Sequence, residues 1–124
     1  MIKNLLKNVI DIKKYNINSE YTEILIPNGS YFLKIYPKLN NNTVFKGFIN
    51  VVNTDTLEQK IIDNIEIMKI DNEIIKNNNK IILLTLNSDN NNNKLVLNFK
   101  NLDFINTINV NNEVEYNLLI SKIG

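Results

Sequence analysis

The side chains of this 124-residue chain best suited to proton transfer are carboxylates, and two pairs of them stand two residues apart: Asp71 with Glu73, and Glu113 with Glu115. On a strand that spacing puts both members on one face. General acid–base work on a glycoside needs two carboxylates held across a cleft in different environments. The turn and strand-edge contexts of these pairs predict solvated strand-face charges instead. Ser88 and Asp89, followed by four asparagines, offer a run of oxygen atoms. One carboxylate, no turn glycine and no distant bidentate Glu do not make a calcium loop. The reading there is an Asn-rich hairpin loop, and no catalytic residue, cofactor or metal is expected.

The missing residue types narrow the chemistry further. The chain has no Ala, Arg, Cys, His or Trp. There is thus no imidazole to move protons near neutrality, no thiolate nucleophile, and no guanidinium fork for phosphate or guanine. Without cysteine there is no disulfide framework and no thiolate zinc site. Asn, Ile and Lys make up half the chain, the codon bias of an AT-rich genome. Its physical effect is independent of its origin. A sequence rich in β-branched Ile and turn-favouring Asn, with no Ala or Arg, is a weak helix former and a good source of strands joined by Asn-rich turns.

Net charge is +1 but unevenly spread: residues 1–19 carry four lysines against Asp11, and residues 55–75 carry six acids against Lys60 and Lys69. A basic arm and an acidic middle of this kind can pair copies head to tail, although charge asymmetry of this size is more often just a solvated face. Within the arm, Ile2, Leu5, Leu6 and Val9 form an apolar stripe with Lys3 and Lys7 between them, at the spacing of a short amphipathic helix. Ile10 and Ile12 alternate with polar neighbours, which favours a strand from about residue 9. A nucleic-acid reading would use Lys3, Lys7, Lys13 and Lys14 as phosphate contacts and Tyr31 and Tyr36 as stacking surfaces. The small net charge and the absence of Arg argue against it. No apolar run is long enough for a secretory signal or a membrane span, so the expected place of synthesis and action is the cytoplasm or a particle assembled there.

The elements that must carry any surface are strands. Residues 21–26 and 30–36, rich in β-branched and aromatic residues, flank Asn28-Gly29, the sequence of a type I′ hairpin turn. Pro27 and Pro37 mark strand ends. Phe45, Ile49 and Val51 share a face with Gly47, which leaves room for a neighbour. Residues 55–70 fit strands better than a helix begun at Thr54. The nearly continuous apolar run of residues 80–86 reads as the central core strand, hairpin-linked through residues 90–93 to residues 94–100. Val114, Tyr116, Leu118 and Ile120 face inward on a closing strand. Seven to nine antiparallel strands with turns about every ten residues predict an all-β fold, a single small sandwich of immunoglobulin-like or jelly-roll type. Residues 1–19 form an N-terminal arm or first strand, and residues 20–124 the sandwich.

A small sandwich so poor in catalytic groups reads as a non-enzymatic structural or interaction protein. The specific expectation is a component of a virion or phage particle, such as a capsid decoration, cementing or fibre-base protein. It would bind itself or other proteins of the assembly through Ile2, Lys3, Leu5, Leu6, Lys7 and Val9. The alternatives are an adhesin-like or carbohydrate-binding module and an accessory subunit of an intracellular complex.

Overall fold

The computed structural model describes residues 9–104 and 111–124. Ten strand segments follow one another: β1 (Val9–Ile17), β2 (Tyr21–Ile26), β3 (Gly29–Pro37), β4 (Thr43–Asn53), β5 (Gln59–Ile70), β6 (Glu73–Asn77), β7 (Ile82–Leu86), β8 (Asn93–Asp103), the two-residue β9 (Asn111–Asn112) and β10 (Tyr116–Ile123). They form two packed antiparallel sheets. One has the order β1-β10-β3-β7, and the other the order β2-β8-β4-β5-β6 with β9 also beside β8. Setting β6 and β9 aside, the eight remaining strands fall in chain order into sheets 1-8-3-6 and 2-7-4-5. That is the double Greek key of a jelly roll, and it excludes the immunoglobulin arrangement.

Strict alternation builds the core. Tyr31, Leu33 and Ile35 of β3 and Tyr116, Leu118 and Ile120 of β10 meet Phe45 and Ile49 of β4, Ile65 and Ile67 of β5, and Leu95, Leu97 and Phe99 of β8. Gly47 lies opposite Phe99 on one side and Ile65 on the other. A Cβ at this glycine would collide with the Asn98 carbonyl oxygen and with Phe99. The vacated space lets Phe99 stack on Phe45, ring centroids 5.1 Å apart, with Tyr116 set edge-on to both. The expected room beside Gly47 is present, and residues 59–70 are strand.

Three expectations are overturned. Asn28-Gly29 does not turn a hairpin, because β2 pairs only with β8 and β3 with β10 and β7. Pro27 ends β2, Gly29 takes a φ of 151° while Asn28 stays out of the positive range, and the chain crosses from one sheet to the other. The turn with two consecutive positive φ values is Asp71-Asn72, at 49° and 63°, between β5 and β6. Its backbone N–H groups donate to Asn42 and Asn41 side-chain oxygens at 3.1 and 2.7 Å. Next, β7 is an edge strand rather than a central one: its apolar run lacks alternation because Leu83 is left 61% exposed, not because both faces are covered. Lastly, β7 and β8 belong to different sheets, so residues 87–92 are an inter-sheet crossing and not a hairpin loop.

The segment from β6 to β7 behaves as one strand that changes sheets. β6 pairs with residues 67–70 of β5, and β7 pairs with residues 29–33 of β3. At the switch Asn78 bonds the Glu66 N–H and the Asn64 carbonyl in one sheet, while Asn79 donates to the Ile35 carbonyl in the other. Adjacent amides thus satisfy backbone groups that the interrupted ladders leave open.

Candidate interaction surfaces

Of the residues predicted to mediate contacts, Ile2, Lys3, Leu5, Leu6 and Lys7 lie outside the described residues. Val9 opens β1 opposite Ile123. From there to Ile17 the segment is a ladder strand at the edge of the four-stranded sheet, so the helix alternative does not extend into it. Tyr31, offered as a stacking surface, is buried and donates its hydroxyl to the Pro27 carbonyl at 2.8 Å. Tyr36 is exposed.

The carboxylate pairs remain on the surface. Asp71 lies in the β5–β6 turn and Glu73 opens β6, and Glu115 ion-pairs with Lys38 at 3.5 Å. The oxygen-rich run at residues 88–93 is spent on the fold. Asn28 Oδ1 accepts from the Ser88 backbone at 2.8 Å, from Ser88 Oγ at 3.1 Å and from Asn93 Nδ2 at 2.9 Å. Asp55 accepts from the backbone of Asp89 and Asn90, and Thr54 donates to the Asn92 carbonyl at 2.7 Å.

Two surfaces remain after this accounting. The first is the free edge of β7. Exposed strand edges invite pairing unless they carry charges, bulges or prolines. β1 carries Asp11, Lys13 and Lys14 and a bulge, β2 carries Glu23 paired with Lys94, and β6 carries Glu73, Lys76 and a bulge. β7 reads Ile82-Leu83-Leu84-Thr85-Leu86, pairs with β3 without a register shift, and has none of these guards. Beside it a groove of about 570 Å³ opens between the sheets, with Leu83, Leu84 and Leu86 on one wall and Val51, Ile61 and Ile62 with the charged Glu58 and Lys60 on the other.

The second is a basin of about 510 Å³ on the outer face of the five-stranded sheet. Directly opposed residues of neighbouring strands share a face. Across this face run two adjacent rows: Tyr21–Asn98–Phe48–Asn64 and Lys100–Lys46–Glu66. Glu66 is closed on Lys76 at 2.7 Å, and that hydrogen bond, followed by the lysine's charge, holds its carboxyl below the usual range. Lys46 therefore stands between Lys100 and Glu66, whose carboxylate is bonded to Lys76 and acts on Lys46 by charge alone. Sequence reading did not assemble this surface, because its members come from four strands separated by up to about eighty residues. The signal that was available, polar residues alternating with core residues on β4, β5 and β8, marks a solvent face without saying which faces adjoin. Compared with known protein families, curated proteins and solved structures, the chain matches none.

Proposed function

We propose that this chain is a non-enzymatic structural protein that works by assembly, as a small component of a virion or phage particle, contacting copies of itself or other shell proteins. The observation that carries the reading is the unguarded β7 edge, whose own residues carry no charge, beside a groove of mixed lining. A solitary monomer gains nothing from leaving Leu83 open on an uncharged edge strand, whereas an assembling subunit uses such an edge as a template. Two copies related by a two-fold axis can pair β7 with β7 antiparallel. In the register that sets Leu84 against its symmetry mate, Leu83 meets Thr85 and Ile82 meets Leu86, with no charge on either face. Jelly rolls are common in virion shells, a fold-level analogy that adds modest support.

The test combines oligomeric state with location. Sedimentation analysis across a concentration series should show self-association that Leu83→Lys abolishes, while the circular dichroism of the variant stays that of a folded sandwich. The chain should also be found in purified particles from its source. A wild-type protein that remains monomeric at all concentrations and is missing from such particles overturns the reading.

A further inference from the structure

We propose that the basin on the outer face of the five-stranded sheet is a binding site for an acidic carbohydrate, a function independent of assembly through β7. Like charges directly opposite one another on neighbouring strands are destabilising, and Lys46 stands opposite Lys100. Glu66, the acid next in that row, is engaged by Lys76. Elsewhere on this face the strand lysine Lys94 has its own partner, Glu23 at 3.4 Å. Glu66 still compensates Lys46 in part through its charge, whereas Lys100 faces only Lys46 in the paired register, and a lysine so placed at the rim of a cavity is offered to an anion from outside.

The adjoining row supplies the rest of the recognition chemistry. Tyr21–Asn98–Phe48–Asn64 alternates aromatic ring and amide across four strands. Tyr21 is exposed, and Phe48 is half-buried in the basin lining. Aromatic faces take the apolar C–H face of a pyranose, while primary amides both donate to and accept from ring hydroxyls. One of these groups is fixed from within: the Tyr21 hydroxyl donates to Glu23 at 2.6 Å. The basin volume lies in the range of small-ligand sites, roughly 300–1,000 Å³.

The shape of the charge favours a sugar over a nucleic acid. A single strand of nucleic acid needs a continuous basic track along its backbone. Here the lysines gather at one side of the aromatic row, and the next row on the other side is Glu23–Val96–Asn50. One anionic substituent, a carboxylate or a sulfate, fits between Lys46 and Lys100, with the sugar rings over Phe48 and Tyr21.

The experiment is a titration of the isotope-labelled protein followed by amide chemical shifts, using a sialylated trisaccharide, a sulfated hexasaccharide, the desulfated form of that hexasaccharide and a single-stranded hexanucleotide. One of the two acidic glycans should move the amides of residues 46, 48, 64, 98 and 100, and which of them does so distinguishes carboxylate from sulfate. The neutral hexasaccharide should bind at least about tenfold more weakly, as expected when a charge-assisted contact is lost. Lys100→Gln should weaken binding by a similar factor while raising the melting temperature, because the like-charge contact is removed. Phe48→Leu should weaken all glycans alike. The proposal is overturned if neither acidic glycan perturbs these amides, if the hexanucleotide binds as tightly as the glycans, or if Lys100→Gln leaves affinity unchanged.

Discussion

Asn28 and Ser88, sixty positions apart, hold each other by both backbone and side chain: Asn28 Nδ2 donates to the Ser88 carbonyl at 2.7 Å, and Asn28 Oδ1 accepts from the Ser88 N–H at 2.8 Å. This exchange joins the β2–β3 crossing to the β7–β8 crossing, so one amide ties together two passages of the chain between sheets. Replacing Asn28 by Ala strands the Ser88 backbone groups and leaves the buried Asn93 amide with only its 3.3 Å bond to the Ile26 carbonyl. The expected loss of stability is about 2–3 kcal/mol by urea denaturation. Asn28→Asp keeps the acceptor and loses the donor, and should fall between Ala and wild type.

Gly47 sets the aromatic centre. Gly47→Ala should cost about 1–3 kcal/mol through overpacking against Phe99. A double-mutant cycle with Phe99→Leu checks the cause. The smaller side chain relieves the part of the clash that falls on the Phe99 ring but not the part on the Asn98 carbonyl oxygen, so the double variant should be rescued only in part relative to the sum of the two single changes.

Burial raises the Tyr116 phenol well above its ordinary value, and its hydroxyl, near Thr22, makes no hydrogen bond of ordinary geometry. Burial, followed by the charge of Asp11, raises Tyr31 as well. A tyrosine whose pKa is raised on folding contributes stability that is complete below its unfolded value of about 10 and is lost as pH climbs toward the folded value. The protein should therefore weaken above about pH 10. Tyr116→Phe should be neutral to stabilising at pH 7 and should extend the alkaline limit, both read from thermal melts across pH.

At the acid end the sign reverses. The Tyr21 hydroxyl, followed by Lys94, holds Glu23 low, and Lys76 does so for Glu66. Their contribution is present above the ordinary carboxylate pKa and is lost as pH falls through the lowered values. Glu23 is exposed and Glu66 half-buried, both still in reach of solvent, so Glu66→Gln should shift the acid limb of a melting-temperature profile only slightly. A large shift would show that Glu66 organises more than its pair with Lys76.

Asp71 and Asn72 both hold positive φ values in the β5–β6 turn. Glycine reaches that region without steric cost, so Asn72→Gly should stabilise by about 0.5–1 kcal/mol in equilibrium unfolding. A decrease would mean that the Asn72 side chain supports the turn.

Strand positions were largely legible, because alternation such as Val114, Tyr116, Leu118 and Ile120 encodes a buried face directly. Pairing was not. Asn28-Gly29 carries the strongest hairpin sequence in the chain, yet Pro27 before it and the pull of residues 88–93 turn it into a crossing. Asp71-Asn72, a weaker signal, makes the hairpin. The run at residues 80–86 looked central because an apolar residue on an open edge and one in a covered strand are the same letter. The surfaces proposed for binding depend on which strands adjoin, so local pattern did not reveal them. Lys46 and Lys100 become neighbours only once β4 lies beside β8.

The pairing of β1 with β10 also bears on how the chain is made. Among the described residues β10 is the one strand that β1 pairs with, and β10 separates β1 from β3. During synthesis at about 5–20 residues per second, β1 waits roughly 6–20 s for its mate to be translated. The four-stranded sheet closes only once β10 has been translated, about a hundred residues after β1, so its folding is expected to wait on that long-range pairing, and a chain truncated before β10 should be captured by chaperones rather than accumulate as a partial sandwich.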